Sequence, residues 1–129
     1  QTSSSIFGAL LSDTLIFVYN ADSGLFNAIK DLIHKNVSPE TYPCNLCAVT
    51  WDNTGMKREW KQFVQSLNRN VEFLHRDELE KKYAIRDVPL PAAFTKCMGE
   101  EPRLWLDSEK MNSCTTLREL QQMVVNNLN

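Results

Sequence analysis

The sequence predicts an α/β fold: a central mixed sheet in the order β-α-β-α-β-α-β-β-α, with helices on both faces. Three observations carry that expectation. Short apolar runs of strand length alternate with longer stretches whose apolar residues recur at helical spacing. Gly, Pro, Asn and Asp gather between them as turn signals. The last two runs are joined by a short Gly-containing turn, which makes an antiparallel hairpin rather than a crossover.

Thr14-Leu15-Ile16-Phe17-Val18-Tyr19 is continuous and apolar, as expected of a strand buried on both faces. Asn20-Ala21-Asp22-Ser23-Gly24 then turns the chain. Leu25, Ala28, Ile29, Leu32 and Ile33 share one helical face, with Asp22 or Ser23 available as a cap. Pro39 and Pro43 bound a loop, and residues 46–51 read as a second strand. Met56, Trp60, Phe63, Val64 and Leu67 form the stripe of the next helix, which Thr54 or Asn53 can cap. Residues 71–74 read as a third strand. Asp77 and Glu80 stand at capping-box spacing at the start of a short helix. Pro89 and Pro91 precede a strand at residues 92–95, and residues 99–102 turn the chain into a partner strand at 103–106. Thr116 and Glu119 form a second capping-box pair, opening a terminal helix lined by Leu117, Leu120, Val124 and Leu128.

With 129 residues, 43% hydrophobic and 23% charged, the chain suits one domain over 14–129, preceded by a flexible leader at 1–13 that carries Thr2-Ser3-Ser4-Ser5. A net charge of −2 lacks the basic surplus of an electrostatic nucleic-acid binder. No apolar run approaches the roughly 20 residues of a membrane span. A soluble protein is expected and an intracellular site is favoured, with the compartment and oligomeric state left open. The triplet Asn36-Val37-Ser38, followed by Pro39, fits an exposed turn as well as a glycosylation site.

Four cysteines are too few for a disulfide scaffold in a chain of this size. Cys44 and Cys47 form a Cys-x-x-Cys, in which a tight turn brings both sulfurs to one side. That spacing permits three readings. The pair can undergo thiol–disulfide exchange with protein thiols or a small-molecule thiol, one cysteine as nucleophile and the other as resolving thiol. It can hold a soft metal of zinc type together with His34 and Cys97, which the element order carries toward the same end. Or both cysteines are inert thiols filling a loop. An iron–sulfur centre would need four ligands, drawing in Cys97 and Cys114. Cys114 alone reads as structural, just before the terminal helix cap. His75 reads as a polar loop residue near Pro89.

The order of elements over residues 14 to 128 resembles the thioredoxin fold. The most specific local match is Tyr83-Ala84-Ile85-Arg86-Asp87-Val88-Pro89, which is similar to the thioredoxin segment leading into the cis-proline. The resemblance makes Pro89 that proline. Tyr42-Pro43-Cys44-Asn45-Leu46-Cys47 resembles a signature of thioredoxin-like proteins to which no activity is attached. In thioredoxins the Cys-x-x-Cys opens the helix after a central strand, where the helix dipole stabilises a thiolate. Here Asp52-Asn53-Thr54-Gly55-Met56 holds that place. The cysteine pair is therefore expected at a strand entrance, at the opposite end of the sheet from Pro89 and without help from a dipole. The implied function is a non-standard thiol–disulfide or redox-responsive protein working through Cys44 and Cys47, with thiol–disulfide oxidoreductase activity as the enzymatic form. The alternative is a non-enzymatic metal-binding or structural module.

Asp22-Ser23-Gly24 matches the aspartic protease triplet, but a helix follows it where such enzymes carry a β-rich scaffold. Gly-x-x-x-x-Gly-Lys-Ser/Thr, Gly-x-Ser-x-Gly and His-Glu-x-x-His are absent. The loops at 20–24 and 52–56, each read as a helix entrance, offer amides for an anion or peptide carboxylate; helix capping by Asp22, Ser23 and Thr54 explains the same residues.

Overall fold

The computed structural model describes residues 14–35, 44–52 and 55–128. The expectations for the leader at 1–13, the loop bounded by Pro39 and Pro43, the Asn36-Val37-Ser38 triplet and the caps at Asn53 and Thr54 lie outside those residues. In chain order the elements are β1 (Thr14–Val18), α1 (Ser23–His34), α2 (Asn45–Thr50), β2 (Trp51–Asp52), β3 (Gly55–Met56), α3 (Arg58–Ser66), β4 (Asn70–Leu74), α4 (Arg76–Tyr83), β5 (Ala92–Lys96), β6 (Arg103–Leu106), α5 (Ser108–Asn112) and α6 (Leu117–Asn127).

The fold is mixed α/β around a four-stranded mixed sheet in the order β4-β1-β5-β6. β1 runs parallel to β4 and antiparallel to β5, and β6 closes the hairpin on β5. Strand alternation sends Leu15, Phe17 and Tyr19 to one face, where they meet Trp60 of α3 and Leu120 and Val124 of α6. Ile16 and Val18 go to the other face, joining Ala92, Phe94 and Leu79 of α4. Helices thus cover both faces, which is why β1 is apolar at every interior position. Phe17 centres the larger core, edge-on to Trp60 at 5.4 Å and stacked on Phe73 at 5.7 Å.

The expected second strand is absent from this sheet. Residues 45–50 form α2, and only Trp51 and Asp52 are extended, paired with Met56 and Gly55 in a separate two-stranded ribbon. A short apolar run has no period that separates a buried strand from a buried helix turn. Local hydrogen bonds decide the matter: the Cys44 sulfur accepts the Cys47 N–H, and the buried Thr50 hydroxyl donates to Leu46 O at 2.6 Å. The connection from β1 to its parallel neighbour β4 therefore carries α1, α2, the ribbon and α3.

Other boundaries shift for identifiable reasons. Lys57 is the residue preceding α3 and makes no side-chain cap; its N–H instead donates to Thr50 O at 2.8 Å. At the start of α4 the cap is His75, whose N–H donates to Glu78 Oε1 at 2.7 Å, rather than Asp77 with Glu80. Asp77 is instead engaged by α1: its Oδ1 accepts from both the N–H and the hydroxyl of Ser23 at 3.0 Å. The Thr116–Glu119 capping box forms as expected. α5, capped by Asp107, is an element the sequence reading did not contain. Among the described residues the cis peptide bond is Leu90–Pro91, directly ahead of β5; the bond to Pro89, which the resemblance made the cis one, is not cis.

Candidate functional site: the Cys44–Cys47 pair

Cys44 is the N-cap of α2, with φ −128° and ψ 111°. Its sulfur takes the place of the oxygen that Ser or Asp supplies at most helix starts, and it accepts the N–H of Cys47 at 3.2 Å. A second N–H reaches the same sulfur from Asn20, at 3.4 Å. Cys44 and Cys47 approach to 2.6 Å without being joined. Both are fully buried, in the core that also contains Tyr19, Trp60 and Cys114.

The two sulfurs are chemically unequal. The hydrogen bond from the Cys47 thiol lowers the Cys44 ionisation below the ordinary thiol range; burial opposes it, and the N–H groups of Asn20, Cys47 and Leu46 reinforce it. Burial pushes Cys47 up, and its hydrogen bond to Cys44 and the charge there push it further. Of the two, Cys44 is the thiol whose ionisation the surroundings favour, and Cys47 the one whose ionisation they oppose. Tyr19 lies beside them. Its hydroxyl accepts Trp51 Nε1 at 3.1 Å, and burial first, with the nearby sulfurs adding, raises its ionisation above the usual phenol range. The His75 ring lies 5.5 Å from the Tyr19 ring and its Nδ1 is 2.7 Å from Glu78 Oε1, so His75 is anchored where a bare loop residue was expected.

Two expectations about this pair are corrected. It sits at a helix N-terminus, not at a strand entrance, because residues 45–50 coil. It also lies past the carboxyl end of β1, beside Asn20, and Val18 at that end pairs with Ala92, next to Pro91. The pair and the proline-bearing end of the sheet therefore coincide instead of standing apart.

The other candidate ligands are not gathered with it. Cys97 follows Lys96, which pairs with Thr14 at the amino end of β1, so it lies a strand length away, on the order of 15 Å. His34 ends α1, and its side chain is outside the described ones. Among the described residues no three His, Cys, Asp or Glu side chains gather where one metal ion would be held. Cys114 is buried, its thiol raised by desolvation and directed at Lys110 O, 3.7 Å away. The Ser23 amide at the start of α1 already faces the Asp77 carboxylate, and Asp52 and Gly55 pair with each other in the β2–β3 ribbon, so α3 starts only at Arg58.

Comparison with protein-family models, with curated proteins and with solved structures returns no match.

Sequence reasoning missed Asn45. Its Nδ2 donates to Met111 O at 2.9 Å and Cys114 O at 2.8 Å, fastening the first turn of α2 to the end of α5. No local pattern marks a contact across 66 residues. Among the described residues no helix is long and apolar enough to cross a membrane.

Proposed function

We propose that this chain is a thioredoxin-like thiol–disulfide protein whose redox couple is Cys44–Cys47. The observation that carries the reading is the sulfur of Cys44 at a helix N-terminus, receiving the N–H groups of Cys47 and Asn20 with the second thiol 2.6 Å away. Amide donors and a neighbouring thiol favour a thiolate at Cys44, and the thiolate is the species that attacks a disulfide. The sheet order, the placement of α3 and α6 on one face and α4 on the other, and a proline leading into β5 support the thioredoxin-like assignment. Full burial of both sulfurs favours a slow, redox-responsive couple over a fast general reductase. Its partners are small-molecule thiols or the thiols of other proteins.

The test is equilibration in graded mixtures of reduced and oxidised glutathione, followed by alkylation and mass spectrometry. The wild type loses two alkylatable thiols in a single transition, and Cys44→Ser or Cys47→Ser abolishes that transition. Four alkylatable thiols across the whole range in unfolded-trapped samples would refute the proposal.

A further inference from the structure

The tripeptide Asn20-Ala21-Asp22 is held between two groups, Cys44 on one side and Arg76 on the other. The Asn20 N–H faces the Cys44 sulfur at 3.4 Å, while Asn20 Oδ1 accepts Arg76 Nη2 at 3.1 Å. Ala21 O accepts the Arg76 N–H at 2.8 Å, and Asp22 Oδ1 lies 3.9 Å from Arg76 Nε. Asn20 and Arg76 also form part of the wall of a cavity of about 470 Å³, completed by Leu79, Arg86, Pro89 and Leu90 among others. One residue thus touches the thiol pair with its backbone, holds Arg76 with its side chain and lines the cavity.

We infer that the oxidation state of Cys44–Cys47 is transmitted through Asn20 to this cavity, so that the buried pair sets the conformation of a surface recess. The inference rests on the proposed redox reading of the pair. The step balances with glutathione disulfide as the oxidant. The Cys44 thiolate attacks one sulfur of that disulfide, forming a mixed disulfide and expelling one glutathione thiolate. Cys47 then loses its proton and attacks the Cys44 sulfur, expelling the second glutathione thiolate; the proton passes to a departing thiolate. The Cys44 thiolate and the Cys47 thiol become one disulfide, and one glutathione disulfide becomes one thiolate and one thiol.

The consequence for Asn20 follows from hydrogen-bond chemistry. In the reduced pair its N–H meets the Cys44 sulfur at 3.4 Å, a contact that favours the ionised form of that thiol. In the disulfide that sulfur is neutral, a weak acceptor, and is drawn to about 2.05 Å from Cys47. The Asn20 amide loses its partner's acceptor strength and position together. Arg76 is bound to each residue of the same tripeptide, so a shift there moves the guanidinium that borders the cavity.

The experiment compares amide spectra and hydrogen exchange of the full ¹⁵N-labelled chain, reduced and after glutathione disulfide treatment, with disulfide content measured by mass. The expected result is disulfide formation with shifts at residues 20–22, at Arg76 and at 85–90, and exchange of the Asn20 amide about tenfold faster. Thr14 and Lys96, at the far end of the sheet, stay in place. Cys44→Ser, which lacks the attacking sulfur, shows none of these changes under the same oxidant. In Arg76→Gln the disulfide still forms and Asn20 still shifts, but the response at 85–90 is lost. A disulfide that forms while Asn20, Arg76 and 85–90 remain unchanged overturns the inference and leaves the couple standing. Absence of any disulfide overturns both.

Discussion

The N–H of Cys47 points at the sulfur of Cys44 across one turn of α2, 3.2 Å away, so the first cysteine of the pair is also the cap of the helix that carries the second. Structure and chemistry share one atom there. The sulfur that satisfies an otherwise orphaned amide is the one whose ionisation that amide favours.

Removing the cap should therefore cost more than exchanging it. Cys44→Ala leaves the Cys47 amide without its acceptor and is expected to lower stability by about 1 kcal/mol for the cap, with a further loss for the vacated volume. Cys44→Ser keeps an acceptor of the type preferred at N-caps and should be the milder change. Urea unfolding with excess reductant measures both. Equal losses would mean that the sulfur does not act as a cap.

Alkaline pH should destabilise the protein through Cys47 and Tyr19. Burial raises both ionisations in the folded state, so their contribution is complete below the unfolded values and is lost as pH rises beyond them. Cys44 has the opposite sign: lowered in the folded state, it contributes at high pH and its contribution fades as pH falls through its folded value. Above about pH 9 an unfolded thiol ionises freely, and the cost of holding Cys47 protonated comes to dominate. Unfolding midpoints between about pH 7 and 11, under reductant, should fall more steeply for the wild type than for Cys47→Ala or Tyr19→Phe. Parallel profiles would contradict this.

Asn45 offers a test of what holds α2 against the rest of the core. Asn45→Ala leaves Met111 O and Cys114 O without this donor and should cost about 1–3 kcal/mol. Asn45→Asp should be worse, since it turns a carboxylate toward two carbonyl oxygens. Thermal melts of the two variants give the order, and a reversed order would place the contact's importance in packing alone.

Trp60 separates packing from polar satisfaction. It is fully buried among Phe17, Phe63 and Phe73, and among the described residues its Nε1 has no hydrogen-bond acceptor. Trp60→Ala should cost about 3–5 kcal/mol through the cavity it leaves. Trp60→Phe should cost well under that, because it also removes a buried donor that lacks a partner. Equilibrium unfolding of both variants decides; similar losses would show that the indole N–H is in fact satisfied.

Much of the scaffold was legible in the sequence, and the part that was not has a definite cause. β1, β6 and α6 follow from unbroken local signals: an apolar run, a glycine turn and the Thr116–Glu119 box. Residues 45–50 carry apolar side chains without a readable period, and their helix depends on a cysteine serving as an N-cap, a role sequence rules assign to Ser, Thr, Asp and Asn. That one misreading moved the thiol pair to the wrong end of the sheet and hid its helix terminus. The remaining omissions are contacts between distant segments. Ser23 with Asp77, Asn20 with Arg76, and Asn45 with α5 are separated by 54, 56 and at least 66 residues, beyond the reach of any local pattern.

The most direct measurement counts alkylatable thiols by intact mass before and after reduction of glutathione-oxidised protein, with peptide mapping of any disulfide. The account predicts two thiols gained on reduction, both mapping to Cys44 and Cys47, with Cys97→Ala giving the same gain because Cys97 lies at the other end of β5. No gain, or a disulfide that maps to Cys97 or Cys114, would contradict it.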